Sequence, residues 1–262
     1  MNHKSIPNQY EYLDWKRIKH ISQMNRSTII WPFGAIEQHG PHLPLATDTI
    51  FIDEIVNAVM KLMPSEMPLM RIPTQSIGFS PEHLGFDGTL SISSNILTSI
   101  IIEVGKQLSD LGFKRLILLN AHGGQISLLS TAARELRKNA PSLNVFPCFI
   151  WSGISGISDL LTQSEIENGL HASLAETSLM LALKPELVGE ERPFEEVSQN
   201  IPEGWSLEGA SPTAWMTHEL SKSGVIGDSR GANKILGEKL RNLLVSHWYN
   251  MLQSLMSSDW PK

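Results

Sequence analysis

The sequence predicts an α/β protein of three layers, in which helices cover both faces of a mostly parallel central sheet. Short β-branched or apolar runs alternate along the chain with longer segments whose apolar residues recur at helical spacing. The clearest strand-like run is apolar throughout, which is typical of a parallel strand covered on both faces. Helix-length segments separate successive strands, as right-handed crossovers require. These patterns leave the order of the strands open.

The first two strands and the first long helix precede a loop. Residues 27–31 are β-branched and apolar, so they predict a short buried strand. Residues 48–63 carry apolar side chains at helical spacing, and Pro64 ends that helix because proline cannot continue it. Residues 68–72 predict a second strand, and the Gly-, Pro- and Ser-rich residues 76–89 predict a loop.

A helix, a strand and another helix follow this loop. The helix begins at Ser93 or Ser94, since serine caps helix N-termini, and it ends before Gly112. Residues 114–120 form the continuous apolar run of a buried parallel strand. Residues 126–138 predict the crossover helix that leads away from it.

The last predicted elements are a strand over residues 145–151 and helices over residues 172–183 and 232–255. No repeat or low-complexity linker interrupts the chain. We therefore expect residues 1–262 to form a single domain, a size at which one large core can be buried.

Composition narrows the classes of function and the location. Apolar residues make up 41% of the chain and charged residues 18%, which excludes disorder as a description of the bulk. The net charge of −6 favours neither nucleic acid nor an anionic membrane as a partner. Residues 1–26 lack the apolar core of a signal peptide, and we expect a cytoplasmic protein. Cys148 cannot form an internal disulfide and is predicted to be a buried apolar residue.

Two acid and imidazole groups follow the first predicted strand. Glu37 and His39 lie between Gly34 and Gly40, and residues two apart in an extended backbone face the same side. A carboxylate and an imidazole together suit a metal site with oxygen and nitrogen ligands. Asp48 follows at the start of a helix. It has the alternative interpretation of a simple N-cap.

Three more candidates occur later in the chain. His122 ends the long apolar strand, where sites in parallel sheets form. It has the alternative of a turn residue that backbone groups satisfy. His171 and Glu176 stand in an apolar helical segment, where a buried carboxylate requires a partner. The alternative for Glu176 is that it faces solvent. His83 is a candidate for the substrate pocket.

The chain resembles the creatininase (creatinine amidohydrolase) family. The resemblance rests on ordered motifs that span about residues 10–245: residues 34–42, Asp48, residues 120–124 and residues 171–183, with residues 88–91 and 224–227 also fitting. These motifs are specific for the family and not for a substrate. The family implies a creatininase-like three-layer fold and an enzyme that hydrolyses a C–N amide bond.

The resemblance also implies two divalent metal ions, zinc or manganese, with iron(II) in some relatives. Its ligand positions match Glu37 on one ion, His39 on the other, Asp48 bridging both, and His122. Creatininase has a further glutamate where this chain has Gly124, and we expect Glu176 to fill that vacancy, as relatives with a His-Gly-Gly motif suggest.

The family's catalytic histidine matches His171, which we expect to carry a proton to the leaving amine. On one regular helix His171 and Glu176 would stand about 140° apart. Both can face one pocket only if His171 precedes the helix.

The resemblance determines the substrate less closely than it determines the type of reaction. Two tryptophans enclose the ring in creatininase; Trp151 matches one of them, whereas Glu167 stands at the other. This change makes creatinine doubtful and leaves a cyclic amide or formamide as the expected substrate. A deformylase of a formamidopyrimidine and a peptidase that trims a cofactor precursor peptide are also relatives. A peptidase-like activity is therefore an alternative.

Two other classes remain as alternatives. The strand, the turn at residues 122–124 and the following helix N-terminus could form a phosphate- or nucleotide-binding module, but no Walker loop or dinucleotide fingerprint is present. A serine hydrolase would need a G-x-S-x-G elbow, which residues 153–156 only partly resemble. The family resemblance further implies a homo-oligomer, commonly a hexamer.

Overall fold

A four-stranded parallel sheet forms the centre of the computed structural model, which describes residues 8–195 and 201–261. Its strands are β1 (Thr28–Phe33), β2 (Leu69–Arg71), β3 (Arg115–Asn120) and β4 (Asn144–Phe149), in the order β2–β1–β3–β4. The chain leaves β1 towards one edge and returns to the other side of it as β3. The switch point between β1 and β3 is where α/β sheets open a crevice at the carboxyl ends of their strands.

The helices of the described residues are α1 (Trp15–Ser22), α2 (Thr47–Leu62), α3 (Ser94–Leu111), α4 (Ile126–Asn139), α5 (Gln163–Asn168), α6 (Leu174–Leu183), α7 (Thr217–Leu220) and α8 (Lys234–Ser257). A short antiparallel pair, β5 (Phe194–Glu195) and β6 (Gly227–Asp228), lies apart from the sheet. None of the described helices has both the length and the apolar character that crossing a bilayer requires.

Two apolar cores confirm the predicted three layers. Side chains alternate across a strand, so Ile30 and Ile117 pack in a core with α2, α6 and α8, whereas Ile29 and Leu116 pack in a second core with α1, α3 and α4. β1, β2 and β3 are therefore buried along their whole length, whereas the edge strand β4 is only partly buried. Burial on both faces is why apolar residues dominate these strands.

Element boundaries depart from the predictions at three places that matter for the site. β4 ends at Phe149, so Trp151 lies in the following turn rather than in the strand. α6 begins at Leu174 rather than at residue 172, because Ala172 has a φ of 52°, outside the helical region. Asp48 is inside the first turn of α2, whose N-cap is Ala46, so the N-cap interpretation of Asp48 is wrong.

Short elements were not predicted from the sequence. α1, α5, α7 and the β5–β6 pair escape detection because each is too short to show a sustained hydrophobic period. Their positions depend on packing against the larger elements.

Candidate metal centre

The candidate residues meet at the carboxyl edge of the sheet, above the switch point between β1 and β3. Glu37 and His39 are in the loop after β1, and His122 directly follows β3. The Asn120 side chain holds this second loop, since its Oδ1 accepts from the His122 N–H (3.0 Å) and its Nδ2 donates to the His122 carbonyl (2.6 Å). Strand ends therefore aim all three groups into one space.

Asp48 lies between two histidines. Its Oδ1 is 3.6 Å from His39 Nε2, and its Oδ2 is 3.5 Å from His122 Nδ1. One carboxylate thus presents a different oxygen to each imidazole. This is the arrangement that a carboxylate bridging two cations would have.

Glu37 stands beside the same groups and is fully buried. Its Oε1 lies 3.0 Å from His122 Nδ1 and 3.9 Å from His39 Nε2. The carboxylate is therefore nearer to His122 than to His39. Glu37 pairs with the His122 side of Asp48.

His171 enters the cluster from the segment before α6, and Glu176 enters it from the first turn of that helix. His171 precedes the helix, which is the condition for both side chains to face one pocket. Its Nε2 donates to the Gln38 carbonyl (2.7 Å), and Glu176 Oε2 accepts from the Ala172 N–H (2.6 Å). Potential ligand atoms of His39, His171 and Glu176 lie within 4.8 Å of one another. Glu176 therefore belongs to the His39 side of the cluster.

Burial and proximity shift the protonation of these groups strongly. Burial raises the pKa of Glu37, and it raises the pKa of Glu176 to about 7. Burial opposes charge on Asp48 as well, but His122 and His39 outweigh it and hold the pKa of Asp48 well below its usual range. Asp48 in turn overcomes the burial of His39 and raises its pKa to about 9. Glu37 raises the pKa of His122 in the same way.

Several buried polar atoms of this cluster have no hydrogen-bond partner. They are Glu37 Oε1 and Oε2, His39 Nε2, Asp48 Oδ2 and His122 Nε2. Orphaned carboxylate oxygens are costly in a protein interior unless a cation compensates them. The donor set of imidazole nitrogens and carboxylate oxygens fits divalent zinc or manganese. The residues present therefore fit a metal centre.

A cavity of about 860 Å³ opens onto the cluster. Half-buried Trp151 lines it and meets Phe51 edge to face, with ring centroids 6.3 Å apart. Trp215 and Glu208, from a loop that sequence analysis did not single out, also line the cavity. Its described lining includes no lysine or arginine, so it is suited to neutral or cationic ligands.

Glu167 does not reach this cavity, which corrects its assignment to the substrate pocket. It is exposed on α5, where its Oε1 accepts from Gln163 Nε2 (2.5 Å). Two positions along a helix are about 200° apart, so Glu165 faces inward and lines the cavity while Glu167 faces solvent.

Glu82 is a site residue that sequence analysis missed. Its Oε1 lies 2.9 Å from His122 Nε2, although without the alignment of a hydrogen bond. A Cβ added at Gly124 would overlap the same oxygen. The carboxylate that stands beside Gly124 is therefore Glu82, whereas Glu176 lies with His39. The available signal was the acid next to His83, in a loop already predicted to border the pocket.

His83 lies inside the cluster, as a pocket residue would. Its Nε2 is 3.5 Å from Glu37 Oε1, and its ring lies 4.1 Å from that of His171. Burial lowers the pKa of His83 to about 2 and that of His171 well below its usual value. Burial therefore favours the neutral form of both rings.

Comparison with known proteins agrees with this architecture. A mycofactocin precursor peptide peptidase of Mycolicibacterium smegmatis is 29% identical over 221 residues, which cover 81% of this chain and 78% of that protein. A creatinine amidohydrolase of Pseudomonas putida is 27% identical over 197 residues, or 69% and 73% of the two chains. A solved structure of creatinine amidohydrolase (creatininase) shares the fold with a TM-score of 0.75 at 22% identity. The match covers 98% of this chain and 99% of that one.

The family model for creatininase, described as creatinine amidohydrolase, matches residues 11–252. That match takes in the sheet, both helical layers and every residue of the cluster. The chain belongs to the creatininase family of C–N hydrolases.

Proposed function

We propose that this protein hydrolyses a C–N amide bond with two divalent metal ions. The observation that carries the proposal is the position of Asp48, whose two oxygens face His39 and His122 separately. Glu37, Asp48 and His122 would hold one ion. His39, Asp48 and Glu176 would hold the other, since His39 Nε2 lies 3.6 Å from Asp48 Oδ1 and the potential ligand atoms of His39 and Glu176 lie within 4.8 Å of each other.

When bound, such a pair of ions polarises the substrate carbonyl and lowers the pKa of an attacking water. The chain itself supplies the proton shuttle. His171 donates through Nε2 to the Gln38 carbonyl, so its Nδ1 is free to take a proton at the site, 4.0 Å from Glu37 Oε1. Passing that proton to the amide nitrogen makes the nitrogen a competent leaving group.

The cavity favours a substrate larger than one small ring. Its volume of about 860 Å³ is within the range that holds drug-sized ligands. Apolar and aromatic side chains, including Trp151 and Trp215, make up much of its wall. A short peptide would fill this space better than creatinine. The similarity to precursor peptide peptidases supports the same choice.

The phosphate-binding alternative suits the site less well. Glu82, Glu165 and Glu208 line the cavity beside the turn that follows β3, and no described lysine or arginine lines it to offset their charge. A phosphate group would be repelled there. The serine hydrolase alternative loses the nucleophile of its partial elbow, since Ser155 is exposed and does not line the cavity.

Asp48→Asn tests the proposal, with Asp53→Asn on the same helix as the matched control because Asp53 pairs with Arg71 outside the site. Metal content is measured after equilibration with zinc or manganese, the metals of solved creatininase structures. Hydrolysis is screened over creatinine, formamidopyrimidines, cyclic amides and short peptides. We expect Asp48→Asn alone to lose bound metal and activity. A wild-type protein that binds no metal would overturn the proposal.

A further inference from the structure

Gln38 contacts His83 through its side chain and His171 through its backbone carbonyl. Neither histidine is among the residues proposed to hold a metal ion. Its side-chain Oε1 accepts from the Gly40 N–H (2.9 Å), and its Nε2 donates to the Gly224 carbonyl (3.0 Å). A backbone N–H only donates and a carbonyl only accepts. These two contacts therefore fix which end of the amide is nitrogen, a choice that heavy-atom positions alone leave open.

The orientation of Gln38 decides the proton position on His83. Gln38 Nε2 lies 2.8 Å from His83 Nδ1, and an amide nitrogen can only donate. Nδ1 must therefore accept, and a neutral imidazole then carries its hydrogen on Nε2. Thr217 Oγ1, also 2.8 Å from Nδ1, is compatible because a hydroxyl group can donate to the same lone pair.

The proton on His83 points into the reaction space. Nε2 is 3.5 Å from Glu37 Oε1, beyond an ordinary hydrogen bond, and His83 lines the cavity. A nitrogen that carries hydrogen has no lone pair for a metal. His83 is therefore a donor to the site and not a ligand, although spacing alone groups it with Glu37 and His171 as a potential ligand set.

His171 has the opposite polarity. The backbone carbonyl of Gln38 takes its Nε2–H, which leaves Nδ1 bare towards the site. Its ring lies 4.1 Å from that of His83, with the planes 31° apart. One residue thus fixes a proton donor and a proton acceptor side by side.

We propose that His83 is a catalytic donor whose Nε2–H hydrogen-bonds the oxygen of the scissile carbonyl as negative charge develops, and that Gln38 is the positioning residue that keeps the proton there. The inference rests on the proposed amide hydrolysis for its reaction. His83 transfers no proton in this role, since it only donates a hydrogen bond. The proton from water passes through His171 Nδ1 to the leaving nitrogen.

Neutron diffraction of the zinc-loaded protein in D₂O tests the proton positions without any substrate. We expect deuterium on Nε2 of both His83 and His171, and none on Nδ1 of either. Deuterium on His83 Nδ1 would overturn the proposal. Because no turnover is needed, failure to find a substrate leaves this test intact.

Variants test the catalytic role. His83→Leu removes the donor and should lower kcat by about 10²–10³-fold, as loss of one oxyanion donor does, with zinc affinity unchanged in a chelator competition. His83→Gln returns an N–H near the position of Nε2 and should restore part of kcat. A fall in zinc affinity with His83→Leu would instead assign His83 to the support of the ligands and overturn the proposal.

Gln38→Glu tests the positioning role, because a carboxylate accepts from Nδ1 and would move the proton off Nε2. We expect deuterium on Nδ1 and a loss of kcat that is not additive with His83→Leu. Gln75→Glu is the control, since the side chain of Gln75 donates to the Ile77 carbonyl. Full activity in a folded Gln38→Glu protein would refute the role of Gln38. Wild-type protein that binds no zinc would refute the proposed function and leave the tautomer assignment standing.

Discussion

Gly124 stands where the family resemblance implies a glutamate, and its environment shows which carboxylate lies beside it. Glu82 Oε1 occupies the space that a Cβ would take, and His122 Nε2 lies 2.6 Å from the same point. A carboxylate on the far nitrogen of a ligand histidine orients the ring and raises its basicity. Glycine at 124 is thus the condition for the Glu82–His122 contact.

Gly124→Ala should lower zinc affinity by about 10–100-fold, the usual cost of losing an outer partner of a ligand histidine. The added methyl group displaces Glu82 from His122. Isothermal titration with zinc measures the change. Gly123→Ala is the control, because a Cβ there meets no atom within 4 Å. Equal affinity of the two variants would contradict this account.

Cys148 illustrates a residue whose environment suppresses its chemistry. Burial raises the pKa of this half-buried thiol from the 9.0 of an ordinary cysteine to about 11. Since each pKa unit is tenfold in thiolate, native protein near pH 8 should react about 100-fold more slowly with a disulfide reagent than an exposed cysteine would. Stopped-flow kinetics from pH 7 to 10 should show the rate still rising at the upper end. A plateau below pH 9 would contradict the raised pKa of the thiol.

At the scale of elements, the layer of α2, α6 and α8 carries residues of the candidate metal centre. Glu176 is in the first turn of α6, and Asp48 is in the first turn of α2. α6 packs directly against α8, where Gly237 lies so close to the Ser178 carbonyl that a Cβ would overlap it. Backbone contact of this kind fixes the depth at which α6 presents Glu176.

Gly237→Ala should destabilise the protein. Alanine gains about 1 kcal/mol of helix propensity over glycine, but overpacking against backbone costs about 1–3 kcal/mol, and the backbone of α6 has to move. Urea unfolding measures the balance. Gly123→Ala is again the control, because an added Cβ there meets no atom within 4 Å, and its free energy of unfolding should change by no more than about 0.5 kcal/mol. Gly204→Ala would be unsuitable, since Gly204 has a positive φ. A more stable Gly237→Ala protein would refute the close packing of α6 on α8.

On the scale of the whole molecule, the site joins parts of the chain that are distant in sequence. Loops after β1 and β3, the start of α2 and the segment before α6 all contribute buried acids or imidazoles. A bound cation would therefore link both halves of the sheet to one helical layer. Homo-oligomerisation, a hexamer by resemblance, stays a prediction for solution measurement, as does a cytoplasmic location.

Removal of metal should lower the thermal stability of the protein as a whole. Zinc at about 100 times its Kd contributes roughly 2.7 kcal/mol, which corresponds to a shift in Tm of about 5–10 °C for a domain of this size. Differential scanning calorimetry with a chelator, and then with zinc restored, measures it. In Asp48→Asn the two values of Tm should coincide. Identical Tm values for wild-type protein in both conditions would contradict a linking metal.

The sequence by itself determined the parallel sheet and its long helices, and it predicted most of the acids and histidines that the structure brings together, because buried strands and helices leave hydrophobic periods and the motifs are local. Angular spacing also gave the condition that His171 must precede its helix if it and Glu176 are to face one pocket, and the structure meets that condition. Strand order, the contact of Glu82 with His122, the outward direction of Glu167 and the tie from Gln38 to His83 were decided only by the tertiary structure. The physical reason is that these are contacts between loops, whose backbones carry no period and whose side chains meet only after the sheet has brought the strand ends together.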